Sequence, residues 1–382
     1  MRILLVGEFS RLHNSLKVGL AASGHEVVLI NNGDSFKNYP TDISIKATFF
    51  KSKLGTIPRQ IWFRLFGFDL ALLEHGIRFW WHLPKLKDFD VVQLINEKPI
   101  QTCPRLELFL LKKLFRCNKN VFLLSCGVDY NNIQHHLQQK ERYSLLTPYF
   151  ENKTHVAKQY NYMFEFVTPN HFKISEYIYK HCKGVIAGDL DYVKPIQNNP
   201  KYLGLIPYPV LSPENPKAET VVGKVIIFLG INSGNSFTKG IPLFEAALAC
   251  IKEKYEGQIS ILQTTDVPYA TYRSCYEKTH IILDQIYAFD QGYNALEAMA
   301  NGKVVFTGAE TEFLKHYNLG HNEVAINALP DVEALVKELS FLIEHPKEIE
   351  RIGKNAIAFI KKEHDATKVA KMYVEKWKTA IS

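Results

Sequence analysis

An α/β chain of two doubly wound parallel-sheet domains is what the sequence predicts, on three observations. Both halves open with an apolar, strand-like run that breaks into a polar loop and leads into a helix and a further strand, the alternation of βαβ units. A stretch spaced by prolines separates the halves. The length of 382 residues, 46% of them hydrophobic, exceeds one typical domain and suits two of roughly 150–200 residues each.

In chain order, residues 2–7 read as the first strand and residues 8–14 as its polar loop. A helix with Leu16, Leu20 and Ala21 at helical spacing follows and closes at Gly24, before a strand over 25–30. Runs at 91–95, 121–125 and 184–187 are further strands, each ending in the polar or glycine-bearing loop that faces ligands in such sheets. Residues 205–217 carry Pro207, Pro209, Pro213 and Pro216, which marks a linker. The second half opens with a strand over 224–230, a loop ending at Lys239-Gly240, a helix over 242–254 and a strand over 259–263. Asp331 caps a helix with Val332, Leu335, Leu339 and Leu342 inward, and residues 366–380 form a last amphipathic helix. The expected domains are 1–205, a linker 206–222, 223–365, and a terminal helix 366–382.

Composition excludes several classes. Charged residues at 22% and the lack of low-complexity tracts are those of a globular protein. The apolar run before Glu8 is too short for a signal peptide, and no run reaches the ~18 residues of a membrane span, so a cytoplasmic protein is expected. Six scattered cysteines without Cys-x-x-Cys spacing read as buried thiols rather than disulfides or a zinc site. A net charge of +7 suits anionic nucleotides or an anionic membrane surface and is too diffuse to argue for nucleic acid.

The richest stretch is 281–306, a strand, a polar loop, a short helix, an Asn-Gly turn and another strand. Gly292 stands at the helix start, where free backbone N–H groups and the helix dipole favour an anion. Glu297 lies further along the helix, within reach of hydroxyls attached to that anion; an ordinary crossover with a solvated Glu is the alternative. Lys239-Gly240 places an ammonium and free N–H groups together before another helix, as a diphosphate requires. Without an anion partner, a cation at a helix start is badly placed.

Residues 296–305, Leu-Glu-Ala-Met-Ala-Asn-Gly-Lys-Val-Val, resemble the donor-binding signature of the retaining GT-B glycosyltransferases of the family 4 type. Asp284-Gln285 and Lys239-Gly240 fit the same pattern. The resemblance implies a GT-B architecture, two Rossmann-like domains around an interdomain cleft, with the terminal helix crossing back onto the first. It further implies transfer of a sugar from a nucleoside diphosphate sugar to a glycan or lipid-linked acceptor, with retention, in cell-surface polysaccharide synthesis. Glu297 would hold the ribose and Lys239 the diphosphate leaving group, with Gly230, Asn232, Gly292, Gln291, Tyr293 and Asn294 around the donor. The family's second Glu is replaced by Phe289, and Asp290 beside it is the carboxylate that could act instead, as a catalytic group alongside Lys239. No cofactor is implied, and catalysis should be metal-independent: the Asp-x-Asp at Asp189-Leu190-Asp191 falls in the first half.

In that half the candidates for the acceptor side of the cleft are Glu8, Arg11, His13, Asn96, Glu97, Gly127 and Asp129. Cys126 stands where the family's His-Gly-x-Asp has its histidine. His13 reads equally as a helix-start residue held by backbone, and Asn96-Glu97 equally as a solvated strand end. Residues 49–87 mix seven basic side chains with many aromatics. The favoured reading is a core with a solvated face, and the alternative is docking on an anionic bilayer at the inner face of the membrane. Two rival functions share the motifs: a sugar-nucleotide epimerase, and a binding protein without turnover.

Overall fold

The computed structural model describes residues 1–34 and 37–382. Its first half is one parallel sheet built from β1 (Arg2–Val6), β2 (Glu26–Asn31), β3 (Ile43–Ser44), β4 (Val91–Leu94), β5 (Val121–Ser125), β6 (Gly184–Ala187) and β7 (Tyr202–Leu205). Their order is β3-β2-β1-β4-β5-β6-β7, so the direction of winding reverses beside β1. The second half has β8 (Val225–Ile231), β9 (Ile259–Thr265), β10 (Ile281–Leu283), β11 (Val304–Thr307) and β12 (Ile326–Asn327), in the order β12-β11-β10-β8-β9. Every pairing is parallel, with Leu5 opposite Leu29 and Gln93, and Ile282 opposite Phe228 and Val305. Strands covered by helices on both faces carry apolar side chains on both, which is why β1, β5 and β11 read as continuous apolar runs. The very short β3 and β12, two residues each, leave no such pattern in the sequence.

The terminal helix Ala366–Ile381 returns to the first half and packs against the helix Leu12–Ala22. A Cβ at Gly19 would meet the Ala366 carbonyl at 2.0 Å, so only glycine allows this approach. Trp377 is fully buried and its indole donates to Gln93 at 3.0 Å. Val210 pairs with Asp365 in an isolated parallel bridge, which holds the linker against the same corner.

The core reading of residues 49–87 is overturned. Phe79 is buried, but Phe49, Trp62, Phe63, Phe66, Trp80 and Trp81 are exposed.

Candidate functional site

A cavity of about 290 Å3 lies between the halves, at the C-terminal ends of both sheets. The first half contributes Phe9, Ser10, Cys126, Gly127, Asn132, His136, Asp189 and Asp191 to its wall. The second contributes Asn235, Thr238, Lys239, Gln285, Tyr287, Phe289, Gly292 and Tyr293. Ligands of doubly wound sheets bind at such strand ends.

Lys239 is placed by its neighbours. Gly240 adopts φ +73, and a Cβ there would strike Ile286 at 2.8 Å; the Ile286 N–H donates to the Lys239 carbonyl at 3.1 Å. The Lys-Gly turn therefore sits tightly on the loop after β10. From there Lys239 Nζ donates to Asp284 Oδ1 at 2.8 Å, and that oxygen also accepts Asn294 Nδ2 at 2.9 Å. Asp284 is buried, and its second oxygen has no hydrogen-bond partner among the described residues. An ammonium is thus fixed beside the start of the helix Tyr293–Ala300, whose N-cap Gly292 offers no side-chain acceptor to the first N–H groups. Those donors and the ammonium converge on one wall. One turn on, Glu297 meets Arg11 Nη1 of the first half at 3.6 Å. Tyr293 lines the cavity while its hydroxyl donates to the Pro209 carbonyl at 3.1 Å and meets Ser15 Oγ at 2.5 Å.

Several expected site residues face elsewhere, each for a physical reason. Asp290 is buried behind the wall, accepting the N–H of Gln291 at 2.8 Å and of Leu190, across the cleft, at 3.1 Å. One carboxylate oxygen thus joins the halves, and the other is held by the N–H of the next residue. Gln291 turns inward to the Gly308 carbonyl at 2.7 Å. Gly230 is required by the Tyr272 ring, which a Cβ would meet at 2.5 Å. Asn232 is exposed and accepts the Gly234 N–H of its own turn; Asn235 and Thr238 take the place on the wall.

In the first half Glu8 is buried and accepts the N–H groups of His13 and Asn14 at 3.2 and 2.9 Å. Burial pushes its carboxyl up to about 7. His13 is buried against the Gly7 carbonyl at 2.8 Å, and desolvation lowers its imidazole to about 3. Asn96 accepts the Lys98 N–H at 2.8 Å. Glu97 is buried, not solvated, and holds the Tyr130 N–H at 2.9 Å and Ser175 Oγ at 2.7 Å. Asp129 caps the helix Tyr130–Leu137 through the Asn132 N–H at 2.7 Å and accepts Ser125 Oγ at 2.7 Å. Gly127 alone of the strand-end candidates near β5 lines the cavity, at φ +67 with open space beside it.

Two other wall residues, Asn132 and His136, carried no sequence signal. Both are buried, and His136 Nδ1 and Asn132 Oδ1 have no hydrogen-bond partner among the described residues. Asp191 reaches from the first half to the Phe289 N–H at 2.9 Å. Phe289 stacks on Tyr143 at 5.3 Å between the cations of Arg142 and Lys194 at 4.9 and 5.2 Å. Arg142 also pairs with Glu310 and Glu312. Phe289 is therefore a bolt between the halves. Burial raises the carboxyls of Asp189 and Asp191 above the ordinary range, reinforced by the charge of Asp191 at Asp189 and of Asp290 at both. Among the described residues no group of three or more His, Cys, Asp or Glu is placed to hold a metal ion.

Solved structures share the fold over the whole chain. Sucrose-phosphate synthase from Thermosynechococcus elongatus superposes with a TM-score of 0.61 at 14% identity, covering 100% of this chain and 99% of its own. The fold is GT-B. The Anabaena protein HepE, solved with UDP-glucose, gives 0.58 at 12% identity over 99% of this chain and 100% of its own. A Rickettsia africae glycosyltransferase gives 0.53 at 14% identity over 100% and 98%. Residues 236–375 match the family model described as glycosyl transferase-like, a span that contains Lys239, Asp284, Gly292 and Glu297. No curated protein matches the chain.

Proposed function

We propose that this protein is a glycosyltransferase that moves a sugar from a nucleoside diphosphate sugar to a glycan or lipid-linked acceptor, with retention and without a metal. Its place would be cell-surface polysaccharide synthesis on the cytoplasmic side of the membrane. The observation that carries the reading is the shared wall of Lys239 and the uncapped helix start at Gly292, on a cavity that the other half closes. There the ammonium and backbone N–H groups stabilise the diphosphate as its charge develops on leaving. Asp284 positions the ammonium, and Glu297 holds the ribose, exchanging Arg11 for hydroxyls. The first half presents the acceptor beside Gly127, Asn132 and His136. The contacts between halves exclude water and so disfavour hydrolysis.

A thermal-shift series with UDP-, GDP- and ADP-sugars tests the donor, starting from UDP-sugars because the Anabaena neighbour is solved with UDP-glucose. A ligand at 100 times its Kd adds about 2.7 kcal/mol to the folded state. The base that raises Tm most is the donor's, and no rise with any of them rejects the reading. One observation favours a second reading, epimerisation of the sugar nucleotide: Asp189 and Asp191 line the cavity with raised carboxyls suited to proton transfer. Epimer formed from donor alone, without acceptor, would decide for it.

A further inference from the structure

The helix Lys53–Phe66 turns its apolar face outward. Leu54, Ile57, Ile61 and Leu65 recur at helical spacing along one stripe, yet they are between 54% and 85% exposed. Of the helix's fourteen residues only Gly55 is buried. Trp62 and Phe66 lie beside the stripe with their rings 4.3 Å apart, both exposed. Trp80 and Trp81, closing the next helix Leu70–His82, are exposed as well. Three of the four tryptophans thus face outward, and Trp377 is the one in the core.

The hairpin is firmly built. Ser52 caps the first helix by accepting the Gly55 N–H, and Asp69 caps the second while gripping Arg59 through two contacts of 2.6 Å. Glu74 accepts the N–H groups of Thr48, Phe49 and Phe50. An exposed stripe on a fixed helix is a surface awaiting cover.

Charge identifies the cover. Residues 49–87 hold seven basic and two acidic side chains, a net +5 within the chain's +7. Arg59 and Arg78 are taken by Asp69 and Glu74, but Lys53, Arg64, Lys85 and Lys87 are exposed and have no ion pair among the described residues. A second copy would set +5 against +5. An anionic bilayer meets every feature: acyl chains for the stripe, the interfacial layer for tryptophan, lipid phosphates for the free cations.

We propose that the helix Lys53–Phe66 lies in the headgroup plane of an anionic bilayer and docks the protein there. This does not rest on the transferase reading; it says where the protein works, whatever it moves. The full chain is sedimented with vesicles of phosphatidylcholine alone and of phosphatidylcholine with phosphatidylglycerol, and tryptophan emission is followed in parallel. The protein should bind the phosphatidylglycerol vesicles with a blue shift and leave the neutral ones largely unbound. The triple variant Ile57→Ser, Ile61→Ser, Leu65→Ser should lower binding by about tenfold or more with Tm unchanged. Lys53→Glu with Arg64→Glu should abolish the preference for phosphatidylglycerol. Wild-type protein left in the supernatant, or a triple variant that binds as well as wild type, overturns the proposal. So does a dimer that the triple variant dissolves while vesicles bind neither form. The donor-induced thermal shift is read on the same variants, so failure of docking and failure of the donor site are told apart.

Discussion

The two walls of the cleft are made from the same device, a polar loop between a parallel strand and a helix, yet they spend their polar groups differently. On the N-terminal wall Glu8 and Asp129 turn back to cap the helices that follow, and Glu97 takes the Tyr130 N–H. On the C-terminal wall Lys239 and the helix start at Gly292 remain at the cavity. The reason is chemical. A helix start presents unpaired N–H donors, and a nearby carboxylate satisfies them itself. A lysine, or a glycine N-cap, leaves the donors for a ligand. Acids at strand ends are therefore poor pointers to a binding site, and cations there are good ones.

The largest expected effect is on the C-terminal wall. Removing Lys239 alone would strand the buried Asp284 carboxylate, so the informative variant is Lys239→Ala with Asp284→Asn. Sugar transfer should fall by roughly 100- to 1,000-fold, the scale of losing one donor to a developing anion, with Tm within a few degrees of wild type. Glu297→Ala should raise the donor KM, because the proposed reading gives its carboxylate the ribose hydroxyls rather than the reacting atoms. Turnover within a few-fold of wild type in both would remove the donor site from this wall.

Next in size is the opposite result on the N-terminal wall. Asp129→Ala deletes a cap and leaves Ser125 Oγ without its acceptor. Urea titration should show a loss of about 2 kcal/mol, while the donor KM stays at its wild-type value. A KM that rises with no loss of stability would mean that Asp129 faces the ligand after all and would erase the contrast between the walls.

The fold was legible because fully buried parallel strands leave dense apolar runs, and each run here ends in a polar loop. Lys239, Gly292 and Tyr293 were legible as cavity residues because strand, loop and helix follow one another locally. What stayed hidden depends on distance in the sequence. Asp191 finds the Phe289 N–H across 98 positions, and Tyr143 stacks on Phe289 across a comparable gap. Asn132 and His136 sit in a helix whose sequence marks no cavity. The helix Lys53–Phe66 has the apolar period of a core helix; periodicity reveals that a stripe exists but not what covers it.

The smallest effect concerns the seam where the walls meet. Asp191 accepts the N–H groups of Phe289 at 2.9 Å and, less closely, Asp290 at 3.4 Å. Burial and the neighbouring carboxylate charge raise its carboxyl, so the folded state holds its proton more tightly than the unfolded chain does. Such a group adds stability in acid, and that stability is lost as the pH climbs from the ordinary value of 3.8 through the raised one. His13 and His136 work in the other direction: desolvation lowers them to about 3 and about 4, so their stability is lost as the pH falls below 6.5. The buried histidines, together with carboxylates held down by their hydrogen-bond partners such as Glu74 and Asp69, therefore lose stability as the pH falls, and the raised carboxylates lose it as the pH climbs toward neutral. Asp191→Asn keeps an acceptor for the Phe289 N–H and cannot ionise. Its Tm should decline less than wild type between about pH 4 and about pH 7. Parallel Tm curves for the two proteins would show that the seam does not titrate, and the contrast between a self-satisfied wall and an open one would then rest on hydrogen bonds alone.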